Sequence, residues 1–168
     1  MNEKDVVDLL KKVESIGVDM WITGGWGVDA LIGHQTRPHN DIDIFIQKKD
    51  ALAFKKMLNS NGYFETKIES EDQTVWSNTC NCTIDIHLFE FTEAEALRFE
   101  NEIYPFSILN GKGKIGGISV RCMPVEAQVK YHQNYEIRQK DIDDVLLLCK
   151  TFGLPIPENY IAYTTNIK

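Results

Sequence analysis

The chain has 168 residues, of which 43% are hydrophobic and 26% charged. This balance suits one folded domain with at most a small helical appendage. Its formal net charge of -7 excludes a broad nucleic-acid surface and suits a cationic small molecule, which an acidic cleft concentrates. There is no run of 18 apolar residues and no N-terminal signal peptide, so a cytoplasmic location without membrane contact is expected.

Val6, Val7, Leu10, Val13 and Ile16 recur at helical spacing. They predict an amphipathic helix over 3–16, with Asn2 as its N-cap and Gly17 as its stop. A short apolar strand is predicted over 19–23. It ends at Gly24-Gly25, after which a helix is predicted from Trp26 to Ile32, closed by Gly33. Two adjacent glycines let backbone approach a ligand closely, and the free N–H groups of a following helix favour phosphate. Asp29 falls in the first turn of that helix, and Trp26 reads as core.

A polar loop over 34–40 leads into an apolar strand, Asp41-Ile42-Asp43-Ile44-Phe45-Ile46. Residues i and i+2 of a strand share a face, so Asp41 and Asp43 project together with Cα atoms roughly 6.5 Å apart. Like charges side by side repel. Two divalent cations about 4 Å apart would satisfy them, the arrangement used for in-line displacement at phosphorus. Arg37 is placed to pair with triphosphate oxygens, or alternatively with Asp29 or an aspartate of the site. His39 reads as orienting an aspartate.

A second amphipathic helix is predicted over 50–61, with Ala51, Phe54, Met57 and Leu58 inward. Two or three strands follow over 63–91. In Thr83-Ile84-Asp85-Ile86-His87-Leu88-Phe89 the alternation puts Ile84, Ile86 and Leu88 on the core face. Asp85 and His87 then lie on the opposite face, where a carboxylate in an otherwise apolar strand needs a reason. Residues 92–102, with Glu93, Glu95, Glu100 and Glu102, read as a solvated helix or loop, or as an acidic lip for a cationic ligand. Glycine-punctuated hairpins are predicted over 104–122, and helices over 124–133 and 140–152. Cys80, Cys82, Cys122 and Cys149 are expected to be reduced and structural.

Gly-Gly after a strand, a short helix, then Asp-x-Asp on the next strand resembles the signature of polymerase-beta-like nucleotidyltransferases. The likeness is closer to small bacterial lincosamide nucleotidyltransferases. It runs through Gly24-Gly25-Trp26-Gly27-Val28-Asp29, Arg37-x-His39-x-Asp41-Ile42-Asp43 and Asp85-Ile86-His87. It continues through Tyr104-Pro105, Gly111 to Gly117, Val120-Arg121-Cys122 and Lys130-x-His132 to Tyr135. Aminoglycoside 2''-nucleotidyltransferases share the first two of these stretches and are more distant beyond them.

The resemblance implies an α/β (α+β) nucleotidyltransferase fold, a small mixed sheet backed by helices. Residues 1–122 would form the catalytic domain, 123–160 C-terminal helices packed on it, and 161–168 a frayed tail. It implies Mg-dependent transfer of a nucleoside monophosphate from ATP or another nucleoside triphosphate to a drug hydroxyl. Asp41, Asp43 and Asp85 would hold two Mg ions, with Asp85 also taking the acceptor proton. Gly24, Gly25 and Arg37 would hold the phosphates. Phe89, Phe91, Tyr104 and Phe106 offer an apolar wall for a lincosamide, and Glu90, Glu93, Glu95 and Glu102 offer carboxylates for an aminoglycoside. The first set is preferred because aromatic surface supplies most binding energy in small-molecule pockets. A nucleotidyltransferase-fold antitoxin or binding module is the alternative of another class, and homodimerisation is left open.

Overall fold

A computed structural model of the chain describes residues 1–92, 95–133 and 136–164. Helix α1 spans Glu3–Ser15. Its start is fixed by a reciprocal capping box, in which Asp5 N donates to Asn2 Oδ1 at 3.1 Å and Asn2 N donates to Asp5 Oδ2 at 2.8 Å. Val6, Leu9 and Val13 are its buried stripe, while Ile16, expected inward, lies past the last turn and is exposed. Strand β1 (Met20–Thr23) leads into α2 (Gly24–Ile32), β2 (Asp41–Gln47), α3 (Ala51–Ser60), β3 (Tyr63–Ile68), β4 (Gln73–Asn78) and β5 (Thr83–Phe91). Then come β6 (Ala96–Phe99), β7 (Glu102–Pro105), β8 (Gly111–Ile115), β9 (Ile118–Cys122), α4 (Val125–Tyr131), α5 (Gln139–Phe152) and α6 (Glu158–Ile161).

The sheet is mixed, in the order β3-β4-β5-β2-β1-β9-β8, with β6 and β7 continuing from β5. Strands β2 and β5 are parallel, as are β1 and β9, and the other pairs are antiparallel. Alternation along the central strands divides the molecule. Ile42, Ile44, Ile46, Ile84 and Ile86 point to one face and pack against α1 and α3 through Val6, Leu9, Phe54 and Leu58. The other face carries Trp21, Phe45 and Phe89, which pack with Leu97, Ile108, Leu109, Met123 and Ala127. A third cluster joins Val28 of α2 to Val129 of α4 and to Ile142, Val145, Leu146, Leu148 and Cys149 of α5. Helix α2 therefore bridges the sheet and the C-terminal helices.

One expectation changes here. Residues 96–99, expected as a solvated helix or loop, form a strand, because Phe89↔Phe99 and Phe91↔Leu97 pair β6 onto the end of β5 and Leu97 is fully buried. Glu93, of the expected acidic lip, and Tyr135, of the resemblance, lie outside the described residues. Helix α6 is anchored by Tyr160, which is fully buried and donates its hydroxyl to His132 O at 2.6 Å. Ile161 closes that helix. Removing this hydroxyl in Tyr160→Phe is expected to cost about 1 kcal/mol. Urea denaturation at an unchanged slope checks it. The four cysteines are free, with Cys82, Cys122 and Cys149 buried and Cys80 exposed in the turn before β5. No helix among the described residues is long and apolar enough to cross a membrane.

Candidate active site

The site is built where β1, β2 and β5 deliver side chains to one end of the sheet. Cα register sets Thr23 opposite Asp43 across β1 and β2, and Asp43 opposite Asp85 across β2 and β5. Asp43, Asp85 and His87 each offer a ligand atom within 4.8 Å of the others, enough to hold one metal ion. Asp41 stands two residues before Asp43 on β2 and lines the same cleft. Burial, reinforced by the charges of Asp41 and Asp85, pushes the Asp43 carboxyl from 3.8 up to about 7, against a smaller opposing pull from Lys140 and Arg138. A carboxylate disfavoured to that degree is what a cation would relieve, so the donor set fits a hard divalent ion.

Gln73 Nε2 donates to both oxygens of Asp85, at 3.1 and 3.0 Å, and so fixes that carboxylate. His87 stacks on Phe45 with ring centroids 5.0 Å apart and meets the edge of Phe99. Burial holds its imidazole below the ordinary 6.5, outweighing the upward pull of Asp85. Its Nε2 stands 3.9 Å from Asp85 Oδ1.

Helix α2 starts at Gly24, two residues earlier than the sequence suggests. The glycine pair therefore forms the first turn itself, where backbone N–H groups have no partner within the helix. Gly24 has φ +58°, and a Cβ there would run into Asp43 Oδ2. A Cβ on Gly25 would lie 2.5 Å from His39 Nδ1 and 2.6 Å from Arg37 Nη2. Both positions are closed to any side chain, and two nitrogen-bearing groups stand directly over the turn.

Each of those groups has a carboxylate behind it. His39 Nε2 lies 2.5 Å from Asp29 Oδ2, and Asp29 Oδ1 accepts from Thr36 N at 3.0 Å and from Thr36 Oγ1 at 2.5 Å. Asp29 is thus in the second turn of α2, buried, and serves the 34–40 loop instead of the helix dipole. Arg37 reaches neither Asp29 nor a site aspartate as its ion-pair partner. It donates Nε and Nη2 to the two oxygens of Asp144 on α5, at 2.9 and 2.6 Å.

The cleft over this machinery has a volume of about 690 Å3. Asp41, Asp43, Gly24, Gly25 and Arg37 line one part of it. Phe45, Phe99, Tyr104, Ile108, Met123 and Tyr131 line the rest, with Tyr104 and Tyr131 meeting edge to face at 5.9 Å. The expected aromatic wall is therefore mostly replaced. Phe89 is fully buried in the core, where its ring meets Trp21 and Phe45 edge to face. Phe91 and Phe106 pair with each other outside the cleft lining, and only Tyr104 stays. Glu90, Glu95 and Glu102 do not line the cleft either. Glu102 instead accepts from Tyr104 Oη at 2.6 Å. Arg138, Lys140, Asp141 and Gln128 line the cleft from α4 and from the start of α5. The sequence reading missed them, although charged residues opening a helix beside a stretch of polar loop were a visible cue.

The profile of the aminoglycoside-2''-adenylyltransferase family matches residues 5–148 of the chain. The chain belongs to that family. As expected of its members, it is a nucleotidyltransferase. The transferase is 28% identical over 158 residues to a lincosamide resistance protein of Staphylococcus haemolyticus, covering 86% of this chain and 92% of that one. It is 42% identical over only 36 residues, 21% of this chain and 20% of the relative, to a 2''-aminoglycoside nucleotidyltransferase of Escherichia coli. The fold is similar to that of the lincosamide antibiotic adenylyltransferase LnuA in its lincomycin-bound crystal structure, with a TM-score of 0.80 and 23% identity over 92% of this chain and 99% of that one. It is also similar to ANT(2'')-Ia in complex with adenylyl-2''-tobramycin, with a TM-score of 0.75 and 22% identity over 90% and 89% of the two chains.

Proposed function

We propose that the transferase moves a nucleoside monophosphate from ATP or another nucleoside triphosphate to a hydroxyl of a lincosamide, and so inactivates the drug. One observation carries this reading: a single cleft has carboxylates and a phosphate-ready glycine turn at one end and an aromatic wall at the other. The N–H groups of Gly24 and Gly25, with Arg37, take the β and γ phosphates. Arg138 and Lys140 add positive charge on the same side of the cleft. Asp85, held by Gln73, accepts the proton of the acceptor hydroxyl. The hydroxyl oxygen forms a bond to the α phosphorus while the bond from that phosphorus to pyrophosphate breaks in line. Asp41, Asp43 and Asp85, with His87 within reach, would hold Mg ions, which would supply charge neutralisation for the phosphates.

The wall of Phe45, Phe99, Tyr104, Ile108, Met123 and Tyr131 favours an acceptor with a large apolar surface and one ammonium. A polycationic aminoglycoside needs several carboxylates away from the phosphate site, and among the described residues Asp141 is the only lining carboxylate besides Asp41 and Asp43. The long relationship to a lincosamide resistance protein supports the same choice. The family description supports the aminoglycoside as the second reading. Incubation of each drug class with nucleoside triphosphates and Mg, followed by mass spectrometry, is expected to show a lincosamide gaining one nucleoside monophosphate. Inhibitory concentrations in a susceptible bacterium expressing the gene are expected to rise for lincosamides and to stay unchanged for aminoglycosides. The reverse pattern would establish the aminoglycoside reading. Modification of neither class would favour a binding module.

A further inference from the structure

We infer that Asp144 is a positioning residue for the nucleotide: it holds the Arg37 guanidinium edge-on over the Gly24-Gly25 turn, so that α5 completes the phosphate site. The inference rests on the nucleotide reading above. Asp144 is on the buried side of α5, with its side chain 2% exposed, whereas Arg37 keeps 22% of its side chain exposed and lines the cleft.

A guanidinium has five N–H bonds. Two go to Asp144, from Nε at 2.9 Å and Nη2 at 2.6 Å, and one from Nη1 goes to Pro38 O at 3.3 Å. The carboxylate fork fixes the plane of the group, and the exposed bond to the Pro38 carbonyl holds Nη1. One N–H remains on each terminal nitrogen. Nη2 is the atom that a Cβ on Gly25 would touch. Its remaining N–H therefore stands beside the backbone N–H groups of the turn, where a phosphate oxygen can accept from both. Without the fork, a long side chain with many rotamers would have to be ordered by the ligand. The fork removes that cost in advance.

The rival account makes the pair a strut between the 34–40 loop and α5 that never meets substrate. The two accounts differ in what the nucleotide feels. Binding of a non-hydrolysable ATP analogue with Mg is measured by titration calorimetry, well below each variant's melting temperature. The proteins compared are the parent, Asp144→Asn, Arg37→Ala and the double variant. Asp144→Asn is expected to weaken the analogue about tenfold and to leave lincosamide affinity, measured without nucleotide, within twofold. In the Arg37→Ala background the same change is expected to alter analogue affinity by less than twofold, because its effect passes through the guanidinium.

Breaking a buried pair can unfold a protein, whereas replacing both members by apolar residues is often tolerated. The pair Arg37→Met with Asp144→Leu therefore serves as the folded control, and it is expected to keep its melting temperature while losing analogue affinity. Parent-like analogue affinity in that control, or in Asp144→Asn, would overturn the positioning role and leave the nucleotide site standing. An Asp144→Asn effect undiminished in the Arg37→Ala background would overturn it as well. Failure of the parent itself to bind the analogue would remove both the site and the role.

Discussion

Asp43→Asn is expected to lower transfer at least roughly a thousandfold, the scale of losing a preorganised charge-stabilising group at a reacting centre. It is also expected to make the metal-free protein harder to melt. The reason is the burial of Asp43, reinforced by the charges of Asp41 and Asp85, which pushes its carboxyl from 3.8 up to about 7. A carboxyl raised in the folded state is bound to more protons there than in the unfolded chain between those two values. Its contribution to stability is therefore full below about 4 and is lost as pH rises through 7. Asparagine has no charge to lose. The melting temperature of Asp43→Asn should match the parent near pH 4 and exceed it by several degrees at pH 8, in the absence of divalent cations. Addition of Mg should raise the parent's melting temperature and leave the variant's nearly unchanged. Turnover near that of the parent, or a parallel pH dependence of the two melting curves, would remove Asp43 from the centre of the site.

Gly25→Val is expected to abolish nucleotide binding while the fold survives. The β-carbon alone would stand 2.5 Å from His39 Nδ1 and 2.6 Å from Arg37 Nη2, so both groups must swing away from the turn. Loss of the charge-assisted contacts that Arg37 and the N–H groups of the turn would make to phosphate is worth about 3 kcal/mol or more, a hundredfold and upward in Kd. His39 is wedged against Asp29 and the Trp26 ring, whose centroid is 4.7 Å away. The overpacking is expected to cost about 1–3 kcal/mol of stability. Calorimetric titration with an ATP analogue, paired with a denaturation curve, separates the two effects. Unchanged affinity would mean that the turn does not hold phosphate.

Much of the candidate site was legible because it is local. Asp41, Asp43 and Asp85 follow from a period of two on apolar strands, and Gly24-Gly25 from a break between a strand and a helix. What the sequence hid depends on pairing at a distance. Arg37 faces Asp144 because α5 folds back against α2, which no spacing within 34–40 reveals. Gln73 fixes Asp85 because β4 runs antiparallel to β5. The aromatic wall failed for a related reason. Phe89 and Phe91 share one face of β5, and no spacing separates them; Phe89 is buried because Trp21, Phe45 and Leu97 pack with it, whereas Phe91 ends the strand and is exposed. Residues 96–99 were misread because four glutamates over 92–102 outweighed the Leu97 and Phe99 alternation that makes them a strand.

The central strand β1 has neighbours of very different sequence distance. It pairs antiparallel with β2, its near neighbour in sequence, but its other edge is closed by β9, with Trp21 opposite Arg121 and Ile22 opposite Cys122. Closing a loop of that size costs about 4 kcal/mol of chain entropy before any contact repays it. At ordinary translation rates the ribosome makes β9 roughly 5 to 20 s after β1. For that interval the edge of β1 is an open template, with Trp21 and Ile22 uncovered, available to other nascent chains. The Gly24-Gly25 turn of the candidate site follows the end of that same strand. The transferase therefore completes its candidate site late in its own synthesis, and variants that delay β9 are expected to aggregate before they show any loss of turnover.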